Sequence, residues 1–305
     1  MRKGFIATGV LLIAVTVAVY WYVPSKVVVL AYASVECNFP ATKRFIFDDK
    51  NWSAWLKQDS SVNGNFRQKI SNVFYNNADI LISNKDDVYT TSLMIIPYNI
   101  DSTGIEWRDT LLTGNNPFTR ISRYMKARSL KKHIDTVMVN LTSFLNDKTR
   151  VYGVNIKKEI VRDRPLLATR QVTTTYPAPG DAYRLIALLR DYAHSQGDTS
   201  SGPAMKNVTK IDSTHFELMV AIPTNTYLKG TDEFIPKGLV GGNPIATEFT
   251  GGEATIINAW NGIRQYKEDY RLSSPAIPYE LMITDRQKEP DTAKWVTKIV
   301  YPTRL

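Results

Sequence analysis

Near the end of the chain, residues 278–285 read Pro278-Tyr-Glu-Leu-Met-Ile-Thr-Asp285, an apolar run that carries one carboxylate, Glu280. Because successive side chains of a strand point to opposite faces, a strand here puts Glu280 on one face and its neighbours Tyr279 and Leu281 on the other. Glu280 either lies on a solvated face or lines an apolar pocket, where it needs a cation or a hydrogen-bond donor. Glutamate is rarely fully buried, which favours the first interpretation.

The second half of the chain contains a weak internal repeat, offset by 79 residues at its first and its last match. Three pairs of segments match: Pro165–Arg170 with Pro244–Glu248, Ala182–Tyr192 with Ala254–Tyr266, and Phe216–Pro223 with Trp295–Pro302. The middle pair has helical apolar spacing, and the last pair reads as strands that end at proline. We therefore expect two βαββ units that share a core and form a groove at their junction.

This order of elements, with Gly251-Gly252-Glu253 before the second helix and Trp295–Pro302 at the end, resembles the GyrI-like effector-binding domain. The resemblance covers nearly all of residues 155–305. It implies two halves around a central cleft, and a Glu in the strand matching Pro278–Asp285 that faces the cleft and meets cationic, amphipathic ligands.

Only Glu280 is carried over from that family by the match, and Tyr279, Trp260 and Tyr301 are predicted as aromatic walls of the site. The resemblance favours a non-catalytic protein that binds an amphipathic, cationic or lipid-like small molecule. The alternative is a hydrolase of small electrophilic compounds that uses Glu280. The sequence shows no nucleophile elbow and no paired acid motif, so no catalytic residue is predicted.

The first half begins with a valine-rich strand at 26–38, a break at Phe39-Pro40-Ala41, a short helix and the motif Asn51-Trp52-x-x-Trp55. It resembles the opening of the START and polyketide-cyclase-like (SRPBCC) helix-grip fold, in which a curved antiparallel sheet grips a long helix around an apolar cavity. We predict strands and one long helix in the order of that fold, at 80–83, 88–97, 104–112 and 117–146. The two tryptophans are predicted to lie in the core.

Residues Gly4–Val23 carry no charge, follow Arg2 and Lys3, and end in Tyr20-Trp21-Tyr22. Twenty residues at helical rise span about 30 Å, so the segment is predicted as a transmembrane helix with an aromatic belt. A cleaved signal peptide is the alternative, but the run is long and its end is bulky. The flanking charges predict a single-pass protein of a bacterial inner membrane whose soluble part lies outside the cytoplasm.

Six cations and no acid lie between Thr110 and Ile134: Arg120, Arg123, Lys126, Arg128, Lys131 and Lys132. This basic run either attracts anionic membrane head groups or forms an ordinary solvated helix face. No nucleic-acid-binding motif is present. The one cysteine, Cys37, and three scattered histidines predict no disulfide, no metal site and no cofactor.

The predicted fold class is therefore α+β in three parts. A transmembrane helix occupies residues 4–23, a START-like helix-grip domain occupies 25–150, and a duplicated βαββ GyrI-like domain occupies 155–305.

Overall fold

The structure is a computed structural model that describes residues 2–56, 66–85, 87–199, 202–239 and 241–303, with side chains from residue 9 onward. The chain divides into two compact units, Met1–Asp147 and Lys148–Leu305. Each unit contains one antiparallel sheet with helices, which confirms the α+β class.

The first unit contains a five-stranded sheet in the order β1-β5-β4-β3-β2 and a long helix. Its elements are α1 (Arg2–Tyr22), β1 (Lys26–Val35), α2 (Phe39–Ile46), a 3-10 helix (Asp49–Ala54), β2 (Phe66–Val73), β3 (Asn77–Asn84), β4 (Asp87–Pro97), β5 (Thr103–Leu112) and α3 (Pro117–Leu145). The predicted strands at 80–83, 88–97 and 104–112 and the long helix are confirmed.

Helix α3 begins where Pro117 follows Asn116, whose side-chain oxygen accepts hydrogen bonds from the backbone amides of Phe118 and Thr119. Its apolar side chains are buried against the sheet, where large side chains such as Trp107 and Ile105 are also fully buried. Trp52 and Trp55 are buried and donate their indole N–H groups to backbone carbonyls of α2. Their predicted core position is confirmed, and the helix-grip relationship itself stays a prediction.

The segment predicted to cross a membrane forms helix α1. Within the part of the chain whose side chains are described, no helix combines the length and the apolar character that a membrane crossing requires. The predicted transmembrane anchor is therefore not supported. The predicted location and orientation depended on that anchor and stay predictions.

The basic run of α3 is largely engaged within the first unit. Arg120 is buried, donates from Nε to the carbonyl of Val23 at 2.7 Å and lies over the ring of Tyr20. Lys126 pairs with Asp87 at 2.7 Å, and Lys131 pairs with Asp135 one helical turn away. Burial and internal partners therefore withdraw Arg120 from the surface, and a membrane role of the rest of the basic run stays a prediction.

The second unit contains an eight-stranded sheet in the order β10-β7-β9-β8-β12-β13-β11-β6. Its elements are α4 (Lys148–Tyr152), β6 (Lys157–Lys158), β7 (Arg164–Thr173), α5 (Pro179–Ser195), β8 (Ala204–Lys210), β9 (Phe216–Pro223), β10 (Ile235–Leu239), β11 (Ile245–Thr250), α6 (Glu253–Asp269), β12 (Tyr279–Met282), a 3-10 helix (Thr292–Lys294) and β13 (Val296–Tyr301).

The strand order of this sheet confirms the predicted duplication. The first copy, β7-α5-β8-β9, pairs β7 with β9 and β9 with β8. The second copy, β11-α6-β12-β13, pairs its strands in the same way, and β8 meets β12 at the centre. A pseudo-two-fold axis therefore passes between β8 and β12, with one helix of each copy on the same face of the sheet.

The strand register shows which residues of the two copies are equivalent. Met205 faces Ala221 in the first copy, and Tyr279 faces Val300 in the second. Ala221 and Val300 keep the 79-residue offset of the repeat, whereas Met205 and Tyr279 are 74 residues apart. Helices α5 and α6 are also 74 residues apart, because the connection before the helix is shorter in the second copy, and the longer connection between β12 and β13 restores the offset of 79. This change of offset hides the equivalence of β8 and β12 from a simple alignment.

Candidate functional site

The two faces of the second sheet have different surroundings. The face that carries α5 packs a core of aliphatic side chains that includes Leu189, Val220 and Met282. The opposite face groups other apolar residues, including Met205, Ala221 and Tyr279, around a large pocket. The predicted alternation is therefore confirmed within β12 (Tyr279–Met282), because Tyr279 and Met282 belong to different clusters.

Glu280 lies on the helix face at the centre of the sheet and is 4% exposed. The indole N–H of Trp260 donates to its Oε1 at 2.8 Å. The Nζ atom of Lys206 is 3.1 Å from its Oε2, and Nη2 of Arg286 is 4.0 Å from the same oxygen. The favoured interpretation of Glu280 on a solvated face is therefore wrong, because the side chain is buried. The donor and the cations that a buried acid needs come from the chain itself.

The contact between Lys206 and Glu280 is an ion pair without hydrogen-bond alignment. Although Nζ approaches Oε2 to 3.1 Å, Oε2 has no hydrogen-bond partner among the described residues. The pairing is therefore electrostatic. Because the site is poorly solvated, the pair stabilises the fold only if the attraction between the two charges exceeds the cost of removing them from water.

Arg286 is held beside this pair by its own contacts. Its Nη2 donates to the hydroxyl of Thr297 at 2.9 Å, and its guanidinium lies 4.9 Å from the centre of the Trp295 ring. Its backbone N–H donates to the hydroxyl of Tyr183 at 2.6 Å. The partly buried Lys206 and the buried guanidinium of Arg286 thus lie beside one buried carboxylate, and the cluster of Lys206, Glu280 and Arg286 has a net positive charge.

Two of the predicted aromatic residues lie on the same face as Glu280. The rings of Trp260 and Tyr301 meet edge to face, with centroids 6.4 Å apart, and the guanidinium of Arg264 lies 5.0 Å from the Trp260 ring centre. Trp260 therefore contacts a carboxylate, a ring and a cation at once. This arrangement fixes its indole and restricts the space for a ligand beside Glu280.

The opposite face of the sheet contains a pocket of about 880 Å³, which we call the open-face pocket. Its floor is apolar and comes from four strands of the sheet: Leu166, Ala168, Met205, Ala221 and Val300. Strand β10 and the loops around residues 159–161, 241–244 and 272–277 form its walls. Tyr279 also lines the pocket, so it is separated from the other three predicted site residues by the thickness of the sheet.

Tyr279 supplies a polar group within these apolar walls. Burial, and secondly the negative charge of Glu159, raise the pKa of Tyr279 to about 12. The phenol therefore stays protonated at neutral pH and can donate a hydrogen bond. Among the described residues, none is placed as a partner for this hydroxyl.

The other charged side chains of the pocket differ in how they are paired. Glu159 forms an ion pair with Lys298 at 2.5 Å. Lys237, half-buried on β10, directs its Nζ to the thioether sulfur of Met219 at 3.7 Å. A thioether is a weak acceptor, so the ammonium of Lys237 is the less satisfied of the two.

The structure thus divides the predicted site residues into Glu280, Trp260 and Tyr301 on the helix face and Tyr279 in the pocket. A role of these residues in ligand contact stays a prediction. Lys206 and Arg286, the partners of Glu280, are absent from the predicted set. A 74-residue offset would have matched Lys206 with Glu280, but Arg286 and Lys237 have no comparable sequence signal.

In the described residues, no group of three or more His, Cys, Asp or Glu side chains is arranged to hold a metal ion.

No protein-family model and no curated protein matches this chain. Among solved structures, it is similar to EcmrR in a complex with DNA, at 15% identity over 62% of this chain and 73% of that chain, with a TM-score of 0.46. The C-terminal domain of EcmrR is similar at 16% identity, over 50% of this chain and 98% of that domain, with a TM-score of 0.41. SAV2435 bound to tetraphenylphosphonium is similar at 12% identity, over 49% and 94%, with a TM-score of 0.33.

At these identities and TM-scores, the GyrI-like relationship of residues 155–305 stays a prediction.

Proposed function

We propose that the second unit binds an amphipathic small molecule in the open-face pocket and does so without catalysis. The observation that carries this proposal is the pocket itself, about 880 Å³ with an apolar floor and few polar groups. Ligand sites in proteins are concave, mostly apolar and have a small number of placed polar groups, and their volumes are roughly 300–1,000 Å³.

The opposite face is less suited to a ligand. Glu280 has a donor in Trp260 and a cation in Lys206, and a second cation, Arg286, lies nearby. An organic cation that entered there would have to displace or approach two positive charges of the protein. We therefore place the proposed ligand on the face of Tyr279 and not beside Glu280.

A fluorescence titration tests the proposal. The full chain is titrated with N-phenyl-1-naphthylamine, an uncharged dye that fluoresces in apolar surroundings, and the bound dye is then displaced with 1-decanol. We expect a saturable signal and complete displacement. A ligand that binds only the native state also raises the stability, by about 2.7 kcal/mol at a concentration 100 times Kd.

Two variants locate the binding site. Leu239→Trp adds a large ring to the pocket wall, so it should remove most of the saturable signal. Val172→Trp is the matched control, because Val172 is exposed on the same face of β7 but outside the pocket lining. Equal binding by both variants, or no saturable binding by the parent, would overturn the proposal.

A further inference from the structure

Besides the exposed Lys158 and Asn243 and the half-buried Thr303, two polar side chains lie within the apolar lining of the open-face pocket, and both can donate to a ligand. Tyr279 presents a protonated hydroxyl, and Lys237 presents an ammonium group that has three protons and no lone pair. The amide of Asn207, a third polar group of the lining, is occupied: its nitrogen donates to the carbonyl of Pro278 at 2.8 Å, and its oxygen accepts from Thr209 at 2.7 Å. A ligand that pairs with both Lys237 and Tyr279 therefore supplies acceptors.

The charged side chains of the pocket also favour a ligand that carries acceptor groups. Among the described residues that line it, the one acidic side chain, Glu159, is neutralised by Lys298 at 2.5 Å. Lys206 also borders the pocket, but its ammonium pairs with Glu280 on the helix face. In the described part of the chain, no acid lies within ion-pair distance of Lys237, whose ammonium instead contacts the sulfur of Met219. One positive charge therefore remains uncompensated in an apolar wall.

The position of Lys237 is set by the backbone. Strand β10 pairs with β7 so that Lys237 is opposite Leu166, a residue of the pocket floor, and Leu239 follows on the same face. The ammonium therefore cannot turn to the helix face without breaking the register of the strand. Because the charge is half-buried beside apolar side chains, it is poorly hydrated. Water therefore competes less with an anion that pairs with this ammonium, and the pair is stronger than it would be on an open surface.

We propose that the ligand of the open-face pocket is an amphipathic anion, whose apolar part lies on the sheet and whose acceptor oxygens meet Lys237 and Tyr279. This inference rests on the proposed function and adds the sign of the charge on the head group of the ligand. The chemical class is a free single-chain amphiphile with a carboxylate or a similar oxyanion. An organic cation, which the GyrI-like resemblance implied, would place its charge beside an unpaired ammonium.

Three amphiphiles with the same apolar chain test the charge preference: decanoate, 1-decanol and decyltrimethylammonium. Each compound is titrated against the full chain with bound N-phenyl-1-naphthylamine at pH 8, and the displacement of the dye is measured below the micelle concentration of the compound. We expect decanoate to bind about 10-fold more tightly than decanol, which is the scale of a charge-assisted hydrogen bond. Decyltrimethylammonium should bind more weakly than decanol.

Variants assign the preference to residues. Lys237→Met keeps the length and removes the charge, so it should reduce decanoate affinity about 10-fold and leave decanol affinity unchanged. Tyr279→Phe should reduce decanoate affinity by a smaller factor. Lys288→Met, at an exposed lysine outside the pocket, is the control and should change neither affinity.

The outcomes separate this inference from the proposed function. The proposed negative charge of the ligand is wrong if decyltrimethylammonium binds as tightly as decanoate, or if Lys237→Met weakens the binding of decanol and decanoate equally. In either case the pocket still binds amphiphiles, and the proposed function stands. If none of the three compounds displaces the dye and the dye itself does not bind, the proposed function fails as well.

Discussion

Lys206 and Glu280 lie opposite each other in the central strand pair of the second unit, with Nζ 3.1 Å from Oε2. They are also the equivalent residues of the two repeat copies, so the duplication has placed a base and an acid at the position where the copies meet. A pair of this kind can fix the register of two strands that come from distant parts of the sequence, because a shift by one residue would leave both charges buried without a partner.

The first prediction is that Glu280→Gln destabilises the second unit and leaves ligand binding unchanged. The substitution leaves Lys206 and Arg286 buried beside a neutral amide, and breaking a buried ion pair from one side costs about 3–5 kcal/mol. Urea denaturation of the parent and the variant measures the loss. Decanoate affinity should stay the same, since Glu280 is on the helix face and the pocket is on the other.

The double variant Glu280→Gln with Lys206→Met is the matched control, because it removes one of the two uncompensated charges. It should recover part of the lost stability. If Glu280→Gln is as stable as the parent but binds cationic amphiphiles more weakly, the acid belongs to a ligand site after all, as the family resemblance implied.

Sequence patterns predicted the duplicated βαββ unit correctly because each copy has local signals. The stripes of α5 and α6 have helical spacing, and β9 and β13 both end near a proline. The pairing of β8 with β12 had no such signal. It joins strands far apart in the chain, and the partner of Glu280 becomes visible only when the strand register is known.

The strand β2 (Phe66–Val73) was missing from the prediction for a different reason. It is an edge strand, and its half-buried face carries only Phe66 and Ile70 as apolar residues between polar ones. A short polar strand at the edge of a sheet is stabilised by its pairing with the neighbouring strand, here β3, more than by its own composition. The pocket was equally hidden, since its floor gathers residues from four strands and its lysine from a fifth.

The second prediction concerns a buried hydrogen-bond relay in the first unit. The indole N–H of Trp107 donates to the hydroxyl of Thr91 at 2.8 Å, and this hydroxyl donates to the carbonyl of Ile80 at 2.9 Å. Thr91→Val keeps the shape but leaves the indole without an acceptor. We expect a loss of about 1–3 kcal/mol in urea denaturation. Thr90→Val, at the exposed neighbouring position, should have little effect, and equal losses in the two variants would contradict the relay.

The third prediction concerns the close approach of α6 to the segment before β6. A Cβ atom added at Gly262 would lie 2.2 Å from the carbonyl oxygen of Tyr152. Alanine favours a helix over glycine by about 1 kcal/mol, but overpacking a buried site costs about 1–3 kcal/mol. Because the clash is with backbone, we expect Gly262→Ala to lower the thermal stability. Gly180→Ala, where no atom lies within 4 Å of the added methyl group, should not. A Gly262→Ala variant that melts above the parent would refute the close contact.

The last prediction concerns His133, which is buried in α3 of the first unit. Its Nε2 is 3.3 Å from the side-chain oxygen of Gln68, and its ring stacks on Phe66 with centroids 4.5 Å apart. Burial lowers the pKa of His133 from 6.5 to about 4, because the charged imidazolium is poorly solvated there. The folded protein therefore keeps this histidine neutral in a pH range where the unfolded chain protonates it.

Between pH 6.5 and 4 the unfolded state binds more protons at this site than the folded state, so stability falls as the pH falls. At pH 5 we expect His133 to contribute a loss of about 2 kcal/mol relative to pH 7.5. Urea denaturation of the parent and of His133→Leu at both pH values isolates this contribution, since other titrating groups are common to both proteins. The leucine variant should lose less stability on acidification than the parent. If the two proteins lose the same amount, His133 is protonated in the folded state, and the apolar environment that the structure gives it is incorrect.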